Sequence, residues 1–207
     1  MKKVSIILGA ITLITIAAIV ACNNDRNPSM NTEGMVEVKG ITESTSKVNR
    51  IKRGQYLVTI MGCNDCHSPK VMTTHGPEID SARMLSGHPE TTAVPAINVA
   101  ELQNWVLFSH NLTSFVGPWG VSFAANLTSD ATGIGNWTEA QFLNAIRHGK
   151  YKGLENSRSL LPPMPWVMYK NATDEDLKSI FAFLQSTPAV KNRVPAPISL
   201  NELSKHN

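Results

Sequence analysis

Apolar residues in this chain first run without a break, then thin out, then return at helical spacing. Residues 4–20 (VSIILGAITLITIAAIV) carry no charge at all. Residues 23–48 (NNDRNPSMNTEGMVEVKGITESTSKV) are polar, poor in aromatics and without sustained period, which predicts a flexible tether. From Asn49, the stretch NRIKRGQYLVTIMGCNDCH reads as a helix with Ile51, Tyr56, Leu57, Ile60 and Met61 as its apolar residues. Gly54 lies inside it. A mid-helix glycine costs up to about 1 kcal/mol against alanine, so its presence predicts close packing by another element.

Two later helices carry clearer boundaries. In NWTEAQFLNAIRHGK (136–150), Thr138 is the N-cap and Gln141 closes a capping box. Trp137 and Phe142 are spaced for a hydrophobic staple, and Gly149 supplies the stop. In NATDEDLKSIFAFLQSTP (171–188), Thr173 and Asp176 form a weaker box, and Pro188 ends the helix. Its stripe of Leu177, Ile180, Phe181 and Leu184 is most simply core, with the Gly54 helix as its partner. Residues 68–136 are rich in Gly, Pro, Ser, Asn and Thr, and no strand run stands out. The triplet Asn-Leu-Thr occurs twice, at 111–113 and 126–128, too short to establish a repeat. The expected fold is mainly α, with a long irregular loop segment and no substantial sheet. The domain spans 49–190, and 191–207 is expected to be an extended tail.

The N-terminus reads as an export signal: Lys2 and Lys3, the apolar run, then Ala21 and Cys22. The run is also near the lower limit for a spanning helix, so an uncleaved anchor is the alternative. The sequence I-V-A-C (19–22) resembles the bacterial lipoprotein processing box, in which the cysteine becomes the acylated first residue. On that reading 1–21 is a signal peptide and 22–48 a tether reaching on the order of 25–30 Å from the membrane. Cysteine usage agrees with it. Of three cysteines, Cys63 and Cys66 sit together and Cys22 is left over. Cleavage would also remove two of the 19 Lys and Arg, leaving 17 against 16 acidic residues. So even a balance offers no argument for a nucleic-acid partner.

The pair belongs to Cys63-x-x-Cys66-His67, the signature of covalent c-type haem attachment, one haem per chain. A thioredoxin-like redox pair would call for a βαβ pattern, and a zinc site for further Cys or paired His downstream. Neither is evident. His67 would bind one face of the iron, with its other ring nitrogen on a backbone carbonyl. The candidate donor of that carbonyl is Pro77, in HGPE (75–78), whose simpler role is a turn.

The ligand on the other face decides between electron transfer and oxygen chemistry. Met61 is better explained as core, while Met72, Met84 and Met168 remain candidates. Met164 stands apart, in LLPPMPW (160–166) between Pro162, Pro163 and Pro165. Prolines fix φ and remove competing N–H donors, which makes this a stiff hook able to hold a thioether on iron. The alternative is a Pro-rich linker with Met164 as filler. His75, His88, His110 and His148 are further candidates, although His148 at a helix C-terminus is simply a dipole partner.

A glycine-bearing helix entering Cys-x-x-Cys-His, a Pro-flanked Met and a final helix with Ile180, Phe183 and Leu184 resemble a class I c-type cytochrome domain. More narrowly, AANLTSDATGIGNWTEAQFLNAIRHGK and LLPPMPW are similar to cytochrome subunits of bacterial membrane-bound dehydrogenases for alcohols and sugar acids. The resemblance covers about 50–188. It implies that the first and last helices cross at Gly54 and Phe183. It also implies that the loop 126–137 lies at the haem edge, where Trp137 or Arg147 would meet a propionate. The departure is that such subunits usually carry several haem motifs and this chain has one. The implied function is a lipid-anchored, periplasmic one-electron carrier rather than an enzyme. It would work between a dehydrogenase or quinol-oxidising complex and a terminal oxidase. The alternatives are a haem enzyme or gas sensor with an open iron, or a fixed electron-transfer subunit.

Overall fold

The computed structural model describes residues 39–203. The signal segment 1–21, Cys22 and the tether as far as residue 38 lie outside the described residues, as does the end of the tail, 204–207. Helix α1 spans Lys39–Ile60, so the last part of the expected tether is helical and α1 begins ahead of Asn49. Its inward face is Gly54, Leu57 and Val58, continued by Met61. These positions recur at i, i+3, i+4 and i+7 and therefore share one side. Tyr56 and Ile60, expected among the apolar contacts, lie on the opposite side and are exposed.

Helix α3 (Glu139–His148) starts as the sequence dictates. The Thr138 hydroxyl accepts from Gln141 N at 3.2 Å, and Gln141 Oε1 accepts from Thr138 N at 2.9 Å. Gly149 ends it in the left-handed conformation at φ 62°. Helix α5 (Asp174–Ser186) is capped by Thr173, whose hydroxyl accepts from Asp176 N at 3.1 Å. Leu177, Ile180 and Leu184 join Leu57, Val58, Leu85, Ile134 and Phe142 in the main core, with Phe181 packed against it. Where α1 and α5 cross, a Cβ on Gly54 would lie 1.9 Å from the Ser179 carbonyl oxygen and 2.7 Å from Phe183 Cβ. Only a hydrogen fits there. Ion pairs Arg50–Glu175 (3.4 Å) and Arg53–Asp176 (3.0 Å) link the same helices, but their exposure makes them minor contributors.

The segment between the haem motif and α3 holds strands too short for a period of two to register in the sequence. Strands β1 (Lys70–Thr73) and β2 (Gly76–Ile79) form an antiparallel hairpin in which Met72 pairs with Pro77. Strands β3 (Leu107–Phe108), β4 (Ser114–Gly117) and β5 (Gly120–Phe123) form an antiparallel sheet. One face of this sheet, with Val116 and Val121, closes a second apolar cluster with Ile97, Leu102 and Leu203. The architecture is mainly helical with these two small sheets. Both Asn-Leu-Thr triplets adopt the same turn: Asn111 Oδ1 and Asn126 Oδ1 each accept from the N–H and hydroxyl of the threonine two residues on.

The tail is not simply extended. Val121 N donates to Ile198 O at 2.8 Å and Ile198 N to Val121 O at 3.1 Å, and a last turn of helix, α6 (Leu200–Leu203), buries Leu203. Buried Asn192 fixes the path by donating to Ser86 O (2.6 Å) and His88 O (2.9 Å) and accepting from Glu90 N (2.9 Å). The apolar residues Ile198, Leu200 and Leu203 have a cluster to join, which an isolated tail would lack.

Candidate haem site

Gly62, in the left-handed region at φ 69°, turns the chain from α1 into the short helix α2 (Cys63–His67). Cys63 and Cys66 are one turn apart on α2, so both thiols point to one side. Cys63 packs against the main core, and its burial pushes the thiol up to about 11. Burial raises the Cys66 thiol as well. Burial disfavours the thiolate at both positions, the opposite of the activation that disulfide exchange needs. The neighbouring sheets are antiparallel, with no βαβ unit around the motif. Among the described residues no group of three or more His, Cys, Asp and Glu is placed to hold a metal ion.

The end of α2 is tied down from several sides. Lys70 Nζ donates to the carbonyls of Asp65 (2.7 Å) and Ser68 (2.6 Å), covering carbonyls that the helix end leaves unpaired. Fully buried Ser68 accepts from Leu85 N at 2.9 Å, and His67 O accepts from Gly87 N at 2.7 Å. His67 Nδ1 lies 2.7 Å from the Ala125 carbonyl. A carbonyl only accepts, so Nδ1 carries the proton and the Nε2 lone pair is left for a metal. Desolvation lowers the His67 pKa, which favours this neutral form. The carbonyl partner is therefore Ala125 and not Pro77, which sits in β2 opposite Met72. Sequence reasoning had no access to Ala125, because a carbonyl oxygen is common to every residue type.

The Met164 segment is held at several points. A turn joins Met164 N to Leu161 O at 3.3 Å, and Pro162 O accepts from the Ser122 hydroxyl at 2.6 Å. Trp166 opens helix α4 (Trp166–Tyr169) and lies over Gly149, where a Cβ would meet its ring at 2.4 Å. The Tyr169 hydroxyl then donates to Met61 O at 2.5 Å, which brings the end of the segment against the entry to α2. Burial raises the Tyr169 pKa, with smaller contributions from Cys63, Cys66 and Asp65. Met164 is half-buried, whereas Met72, Met84 and Met168 are exposed and Met61 packs on the core.

The other candidates fall elsewhere. His88 is buried with Nδ1 on Thr113 Oγ1 (2.8 Å) and Nε2 on Thr92 O (3.2 Å), so both ring nitrogens are taken. His75, His110 and His148 are exposed. Arg147 is engaged by protein groups. Its guanidinium donates to Lys170 O, to Ala172 O (2.7 Å) and to the Asp174 carboxylate, tying α3 to the turn between α4 and α5. Trp137 is partly buried and packs against the core cluster that contains Phe142.

Two thiols on one side of a helix, an oriented imidazole with a free lone pair and an apolar wall of core residues together fit a covalently held haem. No family model matches the chain. It is 37% identical over 90 residues to the fructose dehydrogenase cytochrome subunit of Gluconobacter japonicus, covering 40% of this chain and 18% of that protein. It is 26% identical over 174 residues to the gluconate 2-dehydrogenase cytochrome c subunit of Pantoea cypripedii, covering 81% and 31%. With the cytochrome c subunit of the quinone alcohol dehydrogenase of Komagataeibacter europaeus, identity is 37% over 67 residues, covering 32% and 14%. The chain thus spans less than a third of the length of these relatives. Among the described residues, no helix is long and apolar enough to cross a membrane. By name these relatives are cytochrome subunits of dehydrogenases, and the chain is similar in sequence to the cytochrome c subunits of bacterial dehydrogenases.

Proposed function

We propose that this chain is a single-haem, one-electron carrier with His67 and Met164 as axial ligands, anchored to a bacterial membrane through acylated Cys22. The observation that carries the reading is the bond from His67 Nδ1 to the Ala125 carbonyl. It sets the tautomer that a metal-binding imidazole needs, directly behind two cysteines on one helical turn. When bound, the haem takes up and returns one electron at its iron.

The protein's own residues hold and shield that centre. Cys63 and Cys66 supply two thioether links, which prevent loss of the group. The Ala125 carbonyl makes His67 a more basic and better aligned ligand. Met164 would supply the second ligand, a thioether that favours the reduced state and excludes oxygen and peroxide. Trp137 and the core residues beside Cys63 would shield the group from water on that side. The seating of Tyr169 on Met61 O supports the approach of the Met164 segment to the motif. The names of the relatives support a dehydrogenase as the electron donor. The domain would face the periplasm, with a quinol-oxidising complex or oxidase as further partners.

Covalent attachment has a direct test. The wild-type chain, made in an exporting host with haem-ligation machinery, is expected to keep its haem on a denaturing gel, and Cys63→Ser combined with Cys66→Ser to lose it entirely. A wild-type band without haem would refute the proposal. Anchoring is tested apart from this. Cys22→Ser is expected to prevent acylation, detected by mass spectrometry as the missing lipid mass, while the haem domain stays intact. An unmodified Cys22 in the wild-type protein would remove the lipid anchor from the proposal.

A further inference from the structure

We propose that Ser122, itself held by Trp119, positions the segment that carries Met164. This inference rests on the reading of Met164 as the second axial ligand. It assigns to the small sheet a task of its own: bracing the hook against release.

The chain of contacts runs from the tail to the methionine. Ser122 is 6% exposed, and its hydroxyl donates to the Pro162 carbonyl at 2.6 Å. The same oxygen accepts from Trp119 Nε1 at 3.1 Å, so both hydroxyl functions are engaged and the rotamer is fixed. Pro162 opens the turn that Met164 N closes onto Leu161 O. A shift of the Pro162 carbonyl is therefore passed to Met164 through one stiff turn. Side chains alternate along β5, so Val121 enters the apolar cluster behind the sheet while Ser122 faces the hook. The tail strengthens the arrangement by pairing Ile198 with Val121.

The physical case for a positioning role comes from the weakness of a thioether as a ligand. Such a bond opens readily unless the backbone that carries it has nowhere to go. Prolines restrict the hook, yet Pro163 and Pro165 lack N–H groups and contribute no donors that could tether it. The Ser122 hydroxyl supplies a tether from outside the segment. Its loss removes the bond that ties the Pro162 carbonyl to the sheet, worth roughly ten-fold in the equilibrium for hook opening.

The test uses the haem-loaded full chain and follows CO binding to the reduced protein by stopped-flow, which reads release of the methionine rather than electron-transfer activity. Ser122→Ala is expected to bind CO about ten-fold faster than wild type, and Ser122→Thr, which keeps the hydroxyl, at the wild-type rate. Leu102→Ala, which empties the cluster behind the sheet, is expected to lower the melting temperature without this acceleration. Met164→Ala serves as the reference for an open site. If Met164→Ala is CO-reactive but Ser122→Ala stays at the wild-type rate, or Leu102→Ala accelerates equally, the positioning role is overturned while the ligand assignment stands. If Met164→Ala is indistinguishable from wild type, the ligand assignment fails first and the inference with it. Should Ser122→Ala not accumulate, Trp119→Phe gives the same reading, and a wild-type rate there overturns the role.

Discussion

Replacement of Met164 by alanine is expected to turn a low-spin, CO-inert protein into a high-spin form that binds CO promptly when reduced. An alanine side chain offers no donor atom and cannot reach a metal, so the sixth position becomes open to solvent and small ligands. The visible spectrum of the oxidised protein should show the change, and CO addition to the reduced protein should give a complete shift where wild type gives almost none. The midpoint potential should fall, because a thioether favours the reduced state and water does not. The competing methionines make the experiment discriminating. Met72, Met84 and Met168 are exposed, and Met61 is committed to the core. Fast CO binding by the unmutated protein would sink the closed-iron reading and leave a gas sensor or enzyme in its place. Of the four histidines outside the haem motif among the described residues, only His88 is buried, and its two nitrogens are already bonded.

The second large effect is expected at Gly54. A methyl group there would sit 1.9 Å from the Ser179 carbonyl oxygen and 2.7 Å from Phe183 Cβ. The first of these is backbone inside a helix and cannot swing aside, so α1 and α5 must separate along their crossing. Overpacking of this kind costs about 1–3 kcal/mol or somewhat more, against which better helix propensity returns up to about 1 kcal/mol. Gly54→Ala should therefore lower stability by about 2 kcal/mol, or roughly 5–8 °C in melting temperature for a domain of this size. Thermal unfolding followed by circular dichroism measures it. Gln55→Ala, on the exposed side one residue on, is the control and should shift the midpoint by less than about 1 °C. An unchanged midpoint for Gly54→Ala would mean that the helices do not cross as closely as described.

The features legible from sequence were those whose partners are close in the chain or whose chemistry resides in a side chain. Thr138 and Gln141 are three residues apart and bond each other, so the start of α3 could be read directly. Gly54 was legible because a glycine in a helix interior is costly unless something packs on it. The roles proposed for Cys63, Cys66 and His67 rest on residue type and spacing alone. What escaped was carried by backbone atoms or by distant pairing. The carbonyl facing His67 belongs to Ala125, 58 positions away, and residue type says nothing about it. Arg147, which the family resemblance placed near a haem propionate, donates to the backbone carbonyls of Lys170 and Ala172, partners that residue type does not announce. The sheet went unseen because its longest strands have only four residues.

By itself the sequence determined the helices at the two ends of the main core, the attachment motif and the stiffness of the Pro-Met-Pro hook. Each follows from local sterics, capping or covalent chemistry. Only the tertiary structure decided which carbonyl orients His67, where Arg147 is engaged, how the tail returns through Asn192 and Ile198, and what holds Pro162. Those are questions of which buried polar groups meet. Burial leaves each of them to find a partner wherever the packed chain presents one, at separations that no local pattern records.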